Sequence, residues 1–419
     1  FTFDYDTADE TTVTGPLGRE NTYHYKSVNG SLKVFEIDRE ACPSGSCSAA
    51  TKYYEYNAQG LLANRTDWRG NVTMFEYSNA GQETKRTLAF GTDDAQELET
   101  QWSATHNLRE KIITPGLTAN YTYTAEGRIE TVTQEDTTAN TNSRTTEYVY
   151  NSTGLVETIK GPRTDVTDDY TISYKTGADE THLINTITNP LSHVTTINSH
   201  NGLDQPTAIT DANGVSSILT YQLVAEKSLL KTSTIGNNTT TYASYADGRL
   251  QSITLPSGNT VTYKYDDNNS LTAIQNHLGE RTQYTLDSAG NTTGVSIKNS
   301  GGSQTYSHSY GFDELGRLIN SANFESDSID YAYDGDKNLS LVTEPGSLST
   351  ANLVDALGRI DQITDADGNV IDMGYETSSS ILNETVQDQR YNTTAYQYDG
   401  FGNVISLSSP DTGTTSFVY

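Results

Sequence analysis

Two cysteines, two methionines, two tryptophans and nine prolines are all that 419 residues contain of these types. Two cysteines rule out a disulfide-built scaffold, and with no Cys or His pair beside them they make a poor zinc site. Hydrophobic residues are 34% of the chain, too few for a solid core in a protein of this length. A thin sheet with a wet face, or a water-filled interior, fits that poverty better. No apolar run approaches the ~18 residues of a membrane-spanning helix. Basic residues are scarce: 26 Lys and Arg stand against 54 Asp and Glu, a net charge of −28. Nucleic acid is excluded as a partner on that balance, because phosphate repulsion would dominate. The acidic excess reads as a solvated surface.

What the chain has in quantity is tyrosine, 28 residues of it, and glycine, 33. They recur in a 21-residue beat, Tyr-x-Tyr-Asp-x-x-Gly-Arg-Leu. Clear copies are Tyr310-Gly-Phe-Asp-Glu-Leu-Gly316-Arg-Leu318 and Tyr396-Gln-Tyr-Asp-Gly-Phe-Gly402-Asn-Val404. A second turn signal falls mid-unit, as in Thr66-Asp67-Trp68-Arg69-Gly70 and Thr364-Asp365-Ala366-Asp367-Gly368. The steps alternate between 10 and 11 residues, Gly60 to Gly70 to Gly81, and the period holds through Gly316, Lys337, Gly358 and Ser379. Such periodicity opposes disorder and makes most of the chain a repeating scaffold.

Asp or Asn followed by Gly supplies left-handed backbone and side-chain-to-backbone hydrogen bonds, so both signals predict turns. Between them lie stretches rich in Thr, Tyr, Val and Ile without a helical stripe, which predict strands. Each unit is therefore two antiparallel strands, and some sixteen units imply roughly thirty strands. Twisted sheets beyond about ten strands curl, so an all-β meander spiralling into a wide hollow shell or barrel is expected. Apolar residues two and five places after the Gly (Leu250 and Ile253, Ile129 and Val132, Ile360 and Ile363) would face opposite ways on a regular strand. Either the first belongs to the turn or a bulge intervenes, and the turn is the reading adopted.

With its mid-unit Asp-x-x-Gly, this beat resembles the YD-repeat, or Rhs-repeat, family, which includes bacterial Rhs toxins, the cocoon components of Tc toxins and the teneurins. The resemblance covers 23–419, with degenerate stretches at 83–118, 160–200 and 220–240. It implies a β-shell that encloses another segment of the same polypeptide, in a secreted or surface-exposed bacterial protein. Nothing matches the core-associated segment that ends many Rhs shells. The chain also begins and ends mid-beat, so 1–419 is read as a single repeat array within a larger protein.

Cys42 and Cys47 sit where the beat fails, in an inserted loop assigned to 33–52. A local disulfide fits an oxidising compartment, with free thiols as the alternative. The seven histidines show no metal-ligand spacing, and no nucleophile elbow, phosphate loop or dinucleotide fingerprint appears. The expectation is a non-enzymatic protein without a cofactor. Calcium is the residual candidate, through Asp365 and Asp367 or Asp266 and Asp267. Trp68, in a mid-unit turn, and Trp102 are the candidate ligand contacts, for a cell-surface glycan, if the chain is instead an extracellular binding module. The repeated Tyr, Asp and Gly are assigned to structure.

Overall fold

The computed structural model describes residues 1–45, 47–138, 142–177, 180–375, 382 and 384–419. These contain 37 strands and no helix, numbered here β1 (Thr2–Thr7) to β37 (Gly413–Ser416). Every strand pairs antiparallel with its sequence neighbours, so the chain is one uninterrupted meander. The strand count exceeds the expected thirty because the degenerate stretches are strands too, for instance Gln96–Trp102, Ile184–Thr188 and Lys227–Ile235. Pairing needs alternation and a turn, and survives loss of the motif's letters. Ser379 lies outside the described residues.

The turns explain the Asp and Gly of the beat. At Asp313 the side chain accepts the N–H groups of Leu315 and Arg317 at 2.9 and 2.8 Å, while Gly316 N–H bonds the Asp313 carbonyl at 2.9 Å. Gly316 has φ 73°, which suits a residue without Cβ. Mid-unit turns repeat the geometry, as at Asp67, whose carboxylate accepts from Arg69 and Asn71.

Apolar residues form a stripe running across the strands. Tyr242 opposes Ile253, which opposes Val261; Tyr263 opposes Ile274; Tyr331 opposes Val342. Such cross-strand pairs are the unit of sheet stability. In several units the second tyrosine of the beat reaches sideways to the preceding unit. Tyr265 Oη donates to the Leu250 carbonyl at 3.0 Å, Tyr333 to Leu318 at 2.7 Å and Tyr375 to Ile360 at 2.8 Å. Those carbonyls lie beside a break in register, which corrects the turn reading given above. Leu250, Ile129 and Ile360 are first residues of strands, and each is followed by a register shift. The bulge adds one residue, so positions two and five after the Gly share the tyrosine face.

The meander also coils back on itself. The turn between β2 (Glu10–Thr14) and β3 (Glu20–Val28) meets that between β25 (Arg281–Leu286) and β26 (Thr292–Lys298), where Ser288 Oγ donates to the Pro16 carbonyl. The β4 (Ser31–Arg39) to β5 (Ala50–Tyr56) loop meets the turn from β27 (Gln304–Phe312) to β28 (Leu318–Asn323) through Ser44 and Glu314. Arg69, between β6 (Leu62–Thr66) and β7 (Val72–Tyr77), meets Asp334, between β29 (Ser328–Tyr333) and β30 (Leu339–Glu344). Asp94, between β8 (Glu83–Leu88) and β9 (Gln96–Trp102), meets Arg359, between β31 (Leu348–Val354) and β32 (Ile360–Thr364).

In each case the later turn follows by 23 strands: 25 against 2, 27 against 4, 29 against 6, 31 against 8. One circuit therefore takes 23 strands here and 25 where the turn after β10 (Arg109–Thr114) meets that after β35 (Thr393–Tyr398) at Gly116 and Gly400. At ~4.8 Å per strand, 23 strands give a circumference of roughly 110 Å and a diameter of roughly 35 Å before tilt. The odd number has a geometric cause. Layers of a coiled meander touch through opposite rims, so a mid-unit turn of the first layer must meet a Tyr-Asp turn of the second.

Candidate functional site at the interlayer seam

Full burial is confined almost entirely to that seam. Among the described residues the buried hydrophobic side chains are Cys42, Cys47, Ala89, Leu183 and Ala273, and the first three lie in seam loops. Seam polar groups are buried too: Arg39 is 2% exposed, Asp136 3%, Asp313 1% and Asp399 4%. The wall itself is only half-buried on its better-covered face.

Arginine and aspartate from opposite layers hold the rims together. Arg69 Nη1 lies 3.1 Å from Asp334 Oδ2, and its Nη2 donates to the Asp355 carbonyl. Asp336 accepts the N–H groups of Trp68 and Arg69 at 3.1 and 3.2 Å. Arg359 pairs with Asp355 of its own turn at 2.5 Å and with Asp94 of the other layer at 3.1 Å. Arg39 donates to the Gly335 carbonyl at 3.0 Å, and burial, then Arg317, lowers its pKa. Asp67 and Asp336 share a side-chain hydrogen bond across the seam. Burial and that bond push the Asp336 carboxyl up. Burial also works against the Asp67 charge, yet hydrogen bonds from Asp336, Asn71 and Arg69 outweigh it and hold that carboxyl down. At Gly400 the layers touch backbone to backbone, and an added Cβ would collide with the Gly116 carbonyl. Beside this contact a cavity of about 1070 Å³ opens, lined by Leu88, Leu98, Leu117, Tyr396, Phe401 and Ile405 among the described residues.

Cys42 and Cys47 form a disulfide, with Cα atoms 5.1 Å apart, in the loop that carries Ser44 to Glu314. That loop is 40–49, narrower than the 33–52 assigned above, because 33–39 and 50–52 pair as strand. Trp68 lies half-buried at the seam, with Arg39 and Lys52 at 4.6 and 4.7 Å from its ring. Trp102 is away from it, half-buried, its Nε1 donating to the Glu83 carbonyl at 2.8 Å and Arg109 over its ring. The carboxylates considered for calcium are engaged in turns: Asp365 accepts from Asp367 and Asn369, and Asp266 from Asn268 and Ser270.

The cross-seam pairs were missed from sequence because about 265 residues separate Asp94 from Arg359, with no signal linking them. A second grouping lies on a single hairpin. His24 opposes Glu36 across a hairpin turning at Asn29 and Gly30, Thr22 opposes Asp38, and Glu10 opposes His24 from the other side. The ring and carboxylate donor atoms of His24, Glu36 and Asp38 lie within 4.8 Å of one another. Counting back from the Asn-Gly turn would have set His24 opposite Phe35; the register shift between His24 and Tyr25 is what brings Glu36 to it.

Residues 245–276 match the RHS repeat family profile. No curated protein sequence matches the chain. Among solved structures, TcdB2-TccC3 without its hypervariable C-terminal region is similar at a TM-score of 0.57 and 13% identity, covering 97% of this chain and 26% of that one. The Photorhabdus luminescens Tc holotoxin pore, with a TccC3 mutation, gives 0.55 and 13% over the same shares. TcdB2-TccC3-Cdc42 gives 0.54 and 12%, again over 97% and 26%. The chain thus spans about a quarter of the length of these proteins. The match places an RHS repeat at 245–276 and the chain shares the fold of these Tc-toxin structures, which bears out the YD-repeat resemblance and the long antiparallel meander.

Proposed function

We propose that this chain is one section of a hollow, non-catalytic β-shell that encloses or presents another segment of the same polypeptide, in a secreted or surface-exposed bacterial protein. The observation that carries this reading is surface. The accessible area is 24093 Å² for 45.8 kDa, against ~16,000 Å² for a compact protein of that mass. A wall wetted on both faces accounts for the excess, and a filled β-structure does not. A lumen roughly 25 Å wide, allowing some 10 Å for side chains on a ~35 Å circuit, accommodates an unfolded or partly folded chain. Its work is steric: the wall keeps the enclosed segment from outside partners until the seam or an end opens. The resemblance to toxin assemblies, one of which is described as lacking its hypervariable C-terminal region, suggests the class of cargo.

Among the described residues no helix is long and apolar enough to cross a membrane, which leaves β-barrels unaddressed. The test has two parts. Solution scattering should give a radius of gyration clearly above the ~22 Å of a compact 419-residue chain, and protease should spare a further segment when the full polypeptide is digested. A compact radius, or a segment cut as fast as a free peptide, rejects enclosure. Saturable binding on a glycan array, together with unprotected flanking segments, would instead favour the adhesion reading.

A further inference from the structure

We propose that His24, Glu36 and Asp38 form a binding site for a divalent first-row transition-metal ion, best represented by Zn²⁺. The three side chains come from two neighbouring strands of the first layer and project from one face, since Glu36 and Asp38 are two apart and His24 pairs directly with Glu36. Their donor atoms fall within 4.8 Å of one another, and His24 Nε2 is 2.9 Å from Asp38 Oδ2. Bonds of about 2.0–2.1 Å place tetrahedral zinc ligands roughly 3.3 Å apart. Rotamer adjustments of up to about 1.5 Å therefore admit an ion between them.

Two further residues point to a metal rather than to a bare hydrogen bond. The other ring nitrogen, Nδ1, faces the Glu10 carboxylate on the next strand at 3.8 Å. Metal-bound histidines characteristically present their second nitrogen to a carboxylate or carbonyl, which fixes the tautomer and strengthens the ligand. On the other side Thr51 Oγ1 donates to Asp38 Oδ1 at 2.6 Å, orienting that carboxylate so that Oδ2 stays turned to the ring. Charge agrees with this arrangement. Three carboxylates surround one imidazole, and no Lys or Arg among the described residues pairs with Glu10, Glu36 or Asp38. A dication answers that local excess.

Ligand chemistry selects the ion. An imidazole with carboxylates suits zinc and its first-row neighbours, whereas calcium takes six to eight oxygens and gains little from a nitrogen. The comparison within the chain is instructive: His182 and Asp204 form a similar pair, at 3.1 Å, but among the described residues no third ligand lies within reach. The ion would join β3 to β4 beside the loop that carries the disulfide, and so stiffen the start of the first layer.

The test is isothermal titration of the metal-free protein with ZnCl₂, then with CaCl₂, on wild type, His24→Gln, Glu36→Gln and Asp204→Asn. One zinc per chain is expected, with affinity at least tenfold weaker in the first two variants and unchanged in Asp204→Asn. Calcium at the same concentration should not displace it. Failure to saturate, equal binding in His24→Gln, or displacement by calcium overturns the site. Histidine ¹⁵N spectra of the wild type decide the matter if the variants misfold: zinc must shift Nε2 of His24, and a shift only elsewhere counts against the proposal.

Discussion

Asp336 accepts the backbone N–H groups of both Trp68 and Arg69, reaching across 268 and 267 residues of chain. Its carboxylate serves as a turn cap for a turn in another layer. The motif Asp of this unit, Asp334, caps its own turn through Asp336 N–H and Asn338 N–H. Asp334 thus caps its own hairpin and also pairs with Arg69 across the seam, whereas Asp336 caps the turn of the other layer.

Protonation of that seam should be measurable. Asp336 is raised from 3.8 by burial and by its bond to Asp67, so its contribution to stability is full below 3.8 and is lost as pH rises through its folded value. Asp67 is lowered from 3.8, so its contribution is full above 3.8 and is lost as pH falls through its folded value. Asp336→Asn keeps a donor toward Asp67 without a proton to lose. Chemical denaturation from pH 3.5 to 7 should show a flatter decline above pH 4 in this variant than in wild type. An identical slope in both would exclude the shared proton.

Arg359 is 9% exposed and holds Asp94 of the other layer and Asp355 of its own. Truncation to alanine leaves two part-buried carboxylates unpaired, and breaking such a pair costs about 3 kcal/mol. Because a repeat sheet opens locally, amide exchange should accelerate at 89–95 and 355–359 and stay at wild-type rates around 250–280. Uniform acceleration along the chain would show that the seam does not act as a separate unit.

Gly400 faces the Gly116 carbonyl with no room for a methyl group. Gly400→Ala should force the layers apart there at a cost of about 1–3 kcal/mol. Gly70→Ala is a useful contrast, since its added Cβ meets nothing within 4 Å and the substitution strains only its own φ of 89°. Exchange rates at 116–118 must rise for Gly400→Ala and not for Gly70→Ala.

The disulfide closes a loop with a sequence separation of five, for which loop entropy predicts a stabilisation of about 2 kcal/mol. Reduction should lower the melting temperature modestly and loosen Ser44 from Glu314. Faster exchange at 44 without faster exchange across the β20 (Lys227–Ile235) to β24 (Leu271–Gln275) region is the expected pattern.

Tyr265→Phe removes the hydroxyl bonded to the Leu250 carbonyl at the bulge. Loss of a single such bond costs about 1 kcal/mol. The matching effect in Tyr333→Phe would establish that these hydroxyls act as one repeated device, while a null result in both would reduce them to bystanders.

Strand, turn and stripe were readable because each depends on neighbours close in sequence. Asp313, Gly316 and Arg317 make a turn among themselves, and Tyr263 finds Ile274 across a tight hairpin. The bulge after Leu250 was misread as turn because letters spaced by three do not say where the extra residue is absorbed. The His24 hairpin itself was within reach, although the bulge between His24 and Tyr25 moves its pairing one residue from a plain count. The seam was not, because its register depends on how many strands complete a circuit.

The sequence alone therefore determined the meander, the two kinds of turn and the roles of Tyr, Asp and Gly, since those interactions are local and periodic. Tertiary structure alone decided which rims meet, that Cys42, Cys47 and Trp68 sit at a seam, and that Asp94 finds Arg359. The physical reason is closure. The small twist between adjacent strands sums over about 23 of them into a full circuit, and only that sum brings together residues whose local sequences carry no mark of each other.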